Sequence, residues 1–462
     1  MSSFYDDLVT ARILEYAPVI RRLASLGISK QLRMRNTSQI VVTYPAEQDL
    51  TFMPGVDCVT GSPARLRALY LHLPFCTGIC TYCSYARSAV SENDPFIDSY
   101  ITLLEREVAL VREKLGGGKV PVASVYLGGG TPTLLSSSHL RRVFELVGNN
   151  FTWHKGAEYT LEGSPETISA EKIHLAKLYG VNRVSIGVES FNEEVLSRIG
   201  RRHDVKGIFA ALDMIRNGGI SNIDIDLIRG LPGYSSKMIS DDLSGVERAG
   251  VPSVTSYQYS LKPKSIDWKK VQTDQYMLDR QYIMHLEFIV GMEKLGFVHQ
   301  APLIDCFIRD HRAVYEHNIQ KWRFMGDLIG VGLGSYGYIN GTQYINFRDR
   351  KRYSRMLLDG LLPVHKASHL SEDEIMRRRI VLGLKSGVDR KEFALHHGCD
   401  PFKSPLCNEL EVFRRTGALE ADSTEIKLTP AGALFADWIQ MAFYSTHYKS
   451  LESKRLVPRL SA

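Results

Sequence analysis

The chain is predicted to fold as an α/β protein: a partial (β/α)6 barrel with an N-terminal extension and a small C-terminal, winged-helix-like domain. Two patterns predict this. From about residue 66 to 260, short apolar runs of strand length alternate with segments of helical period. Beyond about 265 that alternation gives way to a long helix, then short strands and helices. A third observation is one of placement: three cysteines, at 76, 80 and 83, directly follow the first predicted strand.

Residues 1–65 make up the extension. Leu8, Ile13, Leu14, Tyr16, Ile20 and Leu23 predict one or two amphipathic helices packed onto the catalytic domain. A β-rich piece follows at 39–43, then a loop with Pro54, Gly55, Gly61 and Pro63. The core domain, 66–300, carries strands at 68–73, 123–127, 158–162, 183–187, 222–228 and 253–259. Helices lie between them at 96–115, 139–147, 170–179, 205–217 and 238–249. Strands that alternate with helices form a parallel sheet with helical crossovers. Six such units suit an open barrel better than a closed eightfold one, and barrels of this type place their site at the C-terminal ends of the strands. The cysteine loop sits at that end.

A long helix at 273–295 follows, with short strands near 297–302 and 329–339, the latter containing Gly330, Gly332, Gly334 and Gly337. Residues 301–364 are read as a connecting, substrate-side region. Residues 365–462 form the C-terminal domain, with helices, a β element at 425–428 and a terminal helix. The mild charge favours a packing or lid role for it over DNA binding.

Composition excludes several classes. With 44% hydrophobic and 23% charged residues over 462 positions, the chain reads as an ordinary soluble globular protein. A net charge of +6 is small for this length, and the basic runs at 348–352 and 377–379 read as solvated helix faces rather than a nucleic-acid footprint. Seven cysteines make no disulfide framework here. Neither a signal-like start nor an apolar run of spanning length is present, so a cytoplasmic, reducing setting without membrane or nucleic-acid partners is expected.

The spacing Cys76-x3-Cys80-x2-Cys83 places three thiolates on one tight loop. A [4Fe–4S] cluster is usually held by four thiolates, so three leave one iron open to a substrate or cofactor. A structural zinc site would show a second Cys or His pair, whereas Cys58, Cys306, Cys399 and Cys407 stand scattered. Other motifs follow in order. Gly128-Gly129-Gly130-Thr131 ends the second strand, where a lone glycine triplet is usually a turn but a Cβ would also block a ligand. Glu162 ends the third strand. Arg183-Val-Ser-Ile-Gly187-Val-Glu189 forms the fourth, and Arg201 follows it. Asp224 and Asp226 share one face of the fifth by strand period.

Together with Tyr70-x-His72-x-Pro74-Phe75 before the first cysteine, and Leu428-Thr429-Pro430-x-Gly432 near the end, these motifs resemble those of HemN-like radical S-adenosylmethionine (SAM) proteins over about 66–440. The resemblance implies a [4Fe–4S] cluster on Cys76, Cys80 and Cys83, with SAM chelating the free iron and being cleaved to a 5′-deoxyadenosyl radical. It implies SAM contacts from Gly128, Gly129, Gly130, Thr131, Glu162, Glu189, Arg201 and Asp226. Glu162 would take the amino or ribose part, Arg201 the carboxylate, and Asp226 the ribose. Glu189 stands where most relatives carry Gln, and either can accept from ribose hydroxyls. Tyr70 and Glu189 are the candidates beside the reacting atoms. Tyr70 and Tyr82 flank the cluster, and His72 reads as a satisfied core histidine.

The family spans coproporphyrinogen III dehydrogenases, haem chaperones, and class C methylases and cyclopropanases. Two departures bear on the choice. Tyr85 stands where the dehydrogenases carry a further cysteine, and Phe75 where the chaperones carry Trp, although Asn318-Ile-x-Lys321-Trp322-Arg323 echoes a chaperone stretch. The expectation is therefore methyl or methylene transfer from a second SAM to an sp2 carbon of a small-molecule natural product. Such an enzyme would draw on an electron donor such as flavodoxin or ferredoxin and on a partner methyltransferase. Oxidative decarboxylation of coproporphyrinogen III and haem trafficking are the alternatives.

Overall fold

The computed structural model describes residues 2–28, 41, 43–61, 66–78, 80, 83, 85–231, 234–259, 275–301, 306–310, 313, 315–324 and 326–451. After α1 (Ser2–Ser25) and a two-residue strand, β1 (Thr51–Phe52), comes β2 (Arg67–Leu73), which leads into the cysteine loop. The ends of that loop are the short strands β3 (Phe75–Cys76) and β4 (Ser88–Ala89). Then follow α2 (Pro95–Lys114), β5 (Val120–Gly129), α3 (Ser137–Asn150), a stub β6 (Phe151–Thr152), β7 (Glu158–Gly163) and α4 (Ala170–Leu178). The alternation continues through β8 (Arg183–Glu189), α5 (Glu193–Arg198), α6 (Val205–Asn217), β9 (Asn222–Arg229), α7 (Ser236–Ala249) and β10 (Ser253–Gln258). Side-chain caps start the crossover helices: Asp94, Ser136, Ser169 and Asp204 each accept from a first-turn amide.

Beyond the barrel lie α8 (Gln275–Lys294), β11 (Val298–Ala301), β12 (Cys306–Ile308), α9 (Glu316–Trp322), β13 (Asp327–Val331), β14 (Tyr336–Ile339), β15 (Thr342–Asn346), α10 (Arg350–Leu358) and β16 (Val364–His369). The C-terminal unit holds α11 (Glu372–Gly383), β17 (Val388–Asp389), α12 (Arg390–His397), α13 (Cys407–Thr416), β18 (Leu419–Ala421), β19 (Glu425–Leu428), α14 (Pro430–Ala433) and α15 (Ala436–Ala442). Its three strands make a small sheet in the order β17-β19-β18.

One sheet runs through the molecule in the order β1-β16-β15-β14-β13-β2-β5-β7-β8-β9-β10-β12-β11. The six expected barrel strands are parallel neighbours, and β13 adds a seventh parallel strand beside β2. The run at 329–339 is thus two strands of opposite direction, because the turn at Gly332–Ser335 reverses the chain. The order ends at β1 and β11, so the barrel is open, as six alternating units require. A buried pair, Arg67 with Asp327 at 3.6 Å, joins the first residues of β2 and β13.

The extension does not pack on the barrel alone. Val9, Tyr16 and Leu23 of α1 join Leu286 of α8 and Phe413, Leu428, Phe435 and Phe443 of the C-terminal unit in a second core. Arg12 bonds Glu293 at 2.7 Å, and the Arg22 Nε donates to the Thr416 carbonyl at 2.8 Å. Leu8 and Leu14, expected on the apolar stripe, point to solvent because the partners are met along the Val9–Tyr16–Leu23 line. Most of the β-rich piece at 39–43 lies outside the described residues.

The added strands are tied to the barrel by Glu107 of α2, which is buried. Its carboxylate accepts from the Gly332 amide at 2.9 Å, the Asn346 amide group at 2.6 Å and the Tyr353 hydroxyl at 2.5 Å. Burial pushes its carboxyl up to about 7, against the lowering effect of those bonds. A carboxyl raised on folding contributes fully below its unfolded value of 4.5, and the contribution is lost as pH rises through about 7. Glu107→Gln should therefore remove a fall on the order of 3 kcal/mol from the stability profile between those pH values, read by urea unfolding of the apoprotein. An identical slope in variant and wild type would contradict it.

Candidate active site

The cysteine loop hangs from a doubly gripped segment. On one side the Gly130 amide donates to the Leu73 carbonyl at 2.8 Å, and the Thr131 amide to the Phe75 carbonyl at 2.6 Å. On the other, the Ser88 amide donates to the Pro74 carbonyl at 2.6 Å and the Val90 amide to the Cys76 carbonyl at 3.0 Å. Gly130 is required by this closeness, since a Cβ there would lie 2.4 Å from the Phe75 carbonyl oxygen. The two ends of the loop are thus brought together, and Cys76, Cys80 and Cys83 are all half-buried on it. Burial pushes the Cys76 thiol up to about 11, the neighbouring Cys83 and Cys80 add to this, and a hydrogen bond from Thr131 opposes it. Tyr82 lies outside the described residues. Among those described, no three His, Cys, Asp or Glu side chains close around a single-ion site.

The strands point a polar face into the barrel. At the mouth, Glu162 accepts from the Tyr126 hydroxyl at 2.6 Å and the Gly129 amide at 2.9 Å. Burial holds its carboxyl above the ordinary range. Gly128 and Gly129 are explained by packing, because a Cβ would meet Tyr126 and Glu162 at the first and His72 at the second. His72 is the satisfied core histidine expected. Its Nε2 lies 2.7 Å from the Ala86 carbonyl and its Nδ1 2.9 Å from the Tyr70 hydroxyl, and burial lowers its pKa to about 4. Tyr70 faces the lumen beside Tyr126, with ring centroids 6.0 Å apart.

The two aspartates of β9 separate in role. Asp224 is buried against Arg183 at 3.1 Å and accepts from Thr255 at 2.9 Å. Among the described residues Asp226 has only the Ser185 hydroxyl, at 3.3 Å, as a hydrogen-bond partner, and it is half-buried nearer the mouth. Burial first, then the charges of Asp224 and Glu162, hold its carboxyl well above the usual range. Glu189 ends β8 at a bulge with φ of 66°, a left-handed conformation, and pairs with Arg201. Gly187 makes room for the pair, since a Cβ would lie 2.8 Å from Glu189 Oε1 and 3.0 Å from Arg201 Nη2. The structure thus brings Glu162, Asp226, Glu189, Arg201 and the glycine turn to the mouth carrying the cysteines.

Other lumen residues, apart from Tyr85, did not stand out in the sequence. Tyr85 and Tyr257 are 61% and 45% exposed. Desolvation nevertheless lifts both phenols, and Asp226 acts on each, so they open into an enclosed space rather than onto the outer surface. The floor is closed by α9. His317 Nδ1 lies 2.9 Å from the Ser124 hydroxyl, and the Arg183 guanidinium sits 4.1 Å from the Tyr315 ring centroid. The period of two along each strand was the available signal: Ser124 and Tyr126, Arg183 and Ser185, and Thr255 and Tyr257 share faces with the residues already singled out.

Comparison with known proteins agrees with this architecture. A model of the radical SAM superfamily matches residues 70–244. The heme chaperone HemW of Bacillus subtilis (strain 168) is 27% identical over 383 residues, 82% of this chain and 99% of the relative. The oxygen-independent coproporphyrinogen III oxidase of Escherichia coli (strain K12) is 27% identical over 408 residues, 84% of this chain and 87% of the relative. The solved structure of coproporphyrinogen III oxidase (HemN) from Escherichia coli superposes with a TM-score of 0.74 at 25% identity, covering 87% of this chain and 96% of that one. The chain carries a radical SAM domain over residues 70–244. Over most of its length it is similar to the HemN-like proteins, and a radical SAM domain implies a [4Fe–4S] cluster and SAM as cofactors. The donor set fits them: three soft thiols on one loop, at a mouth with carboxylates suited to a cationic ligand.

Gly130→Ala should displace Phe75 and Cys76, cost about 1–3 kcal/mol of stability and sharply reduce iron loading. Gly148→Ala, which meets nothing within 4 Å, should leave loading unchanged. Equal iron content in the two reconstituted variants would show that the grip on Phe75 is unimportant.

Proposed function

We propose that this enzyme performs oxidative decarboxylation of a porphyrinogen, with coproporphyrinogen III or a closely related tetrapyrrole as substrate. The observation that carries this reading is the extent of the likeness to coproporphyrinogen III oxidase. It spans 96% of that chain and so reaches well beyond the 70–244 core. Methyl transfer, suggested by Tyr85, finds no support among the relatives described above, so decarboxylation replaces it as the preferred reading. Haem handling draws support from the match to 99% of a heme chaperone and from Asn318–Arg323.

In this reading Cys76, Cys80 and Cys83 would hold the cluster, and Thr131 would orient the first thiolate. Glu162, Arg201, Asp226, Glu189 and the turn Gly128–Gly130 would hold SAM. Together the bound cofactors supply hydrogen abstraction from an unactivated C–H bond, driven by one electron from a flavodoxin- or ferredoxin-like donor. The chain does the positioning. Burial makes ionisation of Glu162 and Asp226 costly, and a cationic ligand beside them would offset that cost. Tyr70 and Tyr126 lie side by side on the lumen wall and would narrow the space open to water. Among the described residues no helix is long and apolar enough to cross a membrane, and all seven cysteines are free, which suits a cytoplasmic setting.

Anaerobic turnover with coproporphyrinogen III and methyl-labelled SAM tests the reading. Loss of substrate carboxyl groups, with 5′-deoxyadenosine formed and no label in the product, is the expected outcome. Label appearing in a product as CH3 or CH2 would establish methyl transfer instead, and stable haem binding without turnover would establish a chaperone.

Two sets of variants test the site. Cys76→Ala, Cys80→Ala and Cys83→Ala should each lose iron on reconstitution, while Cys399→Ala and Cys407→Ala keep it. Arg201→Ala should weaken SAM binding by about 2 kcal/mol through loss of a charge-assisted pair. Calorimetry giving the wild-type affinity would remove Arg201 from the site.

A further inference from the structure

Arg87 closes the cysteine loop from behind. Its Nη1 donates to the Cys83 carbonyl at 2.6 Å and the Tyr85 carbonyl at 3.2 Å, and its Nη2 donates to the Cys80 carbonyl at 3.3 Å. One planar guanidinium therefore gathers three carbonyls from the stretch that carries two of the three thiols. The side chain is half-buried, and its Nε is buried without a hydrogen-bond partner among the described residues. No carboxylate forms an ion pair with it among the described residues, so its charge acts on the loop itself. The Cys83 amide also donates to the Cys80 carbonyl at 3.3 Å, so that carbonyl is shared between a turn and the guanidinium. A surface arginine that merely capped a loop would be expected to take one or two of these carbonyls and extend the rest of its fork into water.

We propose that Arg87 is a positioning residue for the cluster: its fork shapes the ligand loop, and its unpaired charge favours the reduced, more negative form of the bound cluster. The proposal rests on the assignment of the cluster to Cys76, Cys80 and Cys83. Lysine at this position would keep the charge but lose the planar fork, while glutamine would keep some hydrogen bonding and lose the charge. The two halves of the role can therefore be read separately.

The test is anaerobic reconstitution of the full chain with iron and sulfide, comparing wild type, Arg87→Lys and Arg87→Gln. Iron and sulfide content, and a redox titration followed by electron paramagnetic resonance, are the readouts. Arg87→Lys should load less cluster than wild type and keep its potential. Arg87→Gln should load less, and in what loads the reduced-to-oxidised ratio at fixed potential should fall about tenfold, about 59 mV for a one-electron couple. Complete failure of Arg87→Gln to load, with its far-UV circular dichroism intact, also upholds the shaping role. Wild-type loading and potential in both variants would overturn the proposal. A wild-type chain that loads no iron would instead overturn the cluster assignment on which it rests.

Discussion

The active-site end of this molecule depends on how four residues, 73–76, are held. The described residues of the cysteine loop between β3 and β4 form no helix or strand. Its root, however, is clamped between Ser88 and Val90 on one flank and Gly130 and Thr131 on the other. Behind it, the Tyr100 hydroxyl donates to the His72 carbonyl at 2.8 Å and accepts from the Leu333 amide at 2.9 Å. Each such bond contributes only about 1 kcal/mol net, but a buried backbone group left without its partner costs more. The segment therefore has one satisfactory position. A loop that carries ligands for a cluster can vary in sequence once its two ends are fixed in this way.

The lumen is polar because side chains alternate along each barrel strand. β2, β5, β7, β8, β9 and β10 bury apolar residues against the crossover helices on one face, and hydroxyls, carboxylates and tyrosines project from the other. Near the floor the charges offset one another, since Arg183 meets Asp224 and feels Glu158. A pair buried this deeply adds little net stability, because desolvation opposes the attraction. Its effect is to align neighbouring strands. Toward the mouth, Glu162 and Asp226 are held by hydroxyls and an amide in the bonds described, and both resist ionisation. A ligand bringing an ammonium and a sulfonium, as SAM does, would offset the cost of ionising these two carboxyls. The mouth thus offers carboxyls to a cation, whereas at the floor the opposite charges already face one another.

Much of this was legible in the sequence, for physical reasons that differ by element. The strands could be located because parallel strands buried on both faces give compact runs of β-branched residues between glycine turns, as in the run Arg183–Glu189. The helices could be located because their apolar residues recur with helical period. The C-x3-C-x2-C spacing identified the loop, since three thiols so close on one turn have few other uses. The Glu189–Arg201 pair was not legible: it depends on a bulge and a left-handed residue, neither of which leaves a mark in composition. Nor was the role of α1, since an amphipathic stripe says that a helix is covered but not by what. Arg87 escaped notice because three backbone carbonyls leave no trace in side-chain identity.

The placement of α9 bears on what the C-terminal unit does. At its start, Tyr315 and His317 close the barrel floor, and the His317 amide donates to Glu158 at 3.2 Å. At its other end, Trp322 is buried in the second core, with the ammonium of Lys385 4.9 Å from its ring. Arg323 then bonds Glu425 of β19 at 2.9 Å. One short helix therefore belongs to both cores, and it meets the barrel at the N-terminal ends of the strands, away from the cysteine loop. A lid would have to reach the mouth. Through α9 the winged-helix-like unit instead buttresses the floor, and α1 stiffens it from the far side. From the extension, Glu47 binds the Tyr336 hydroxyl at 2.7 Å and Arg348 at 2.6 Å. Gly334 packs there between Arg348 and Ala86, whose carbonyl holds His72, so the N-terminal extension supports both ends of the barrel.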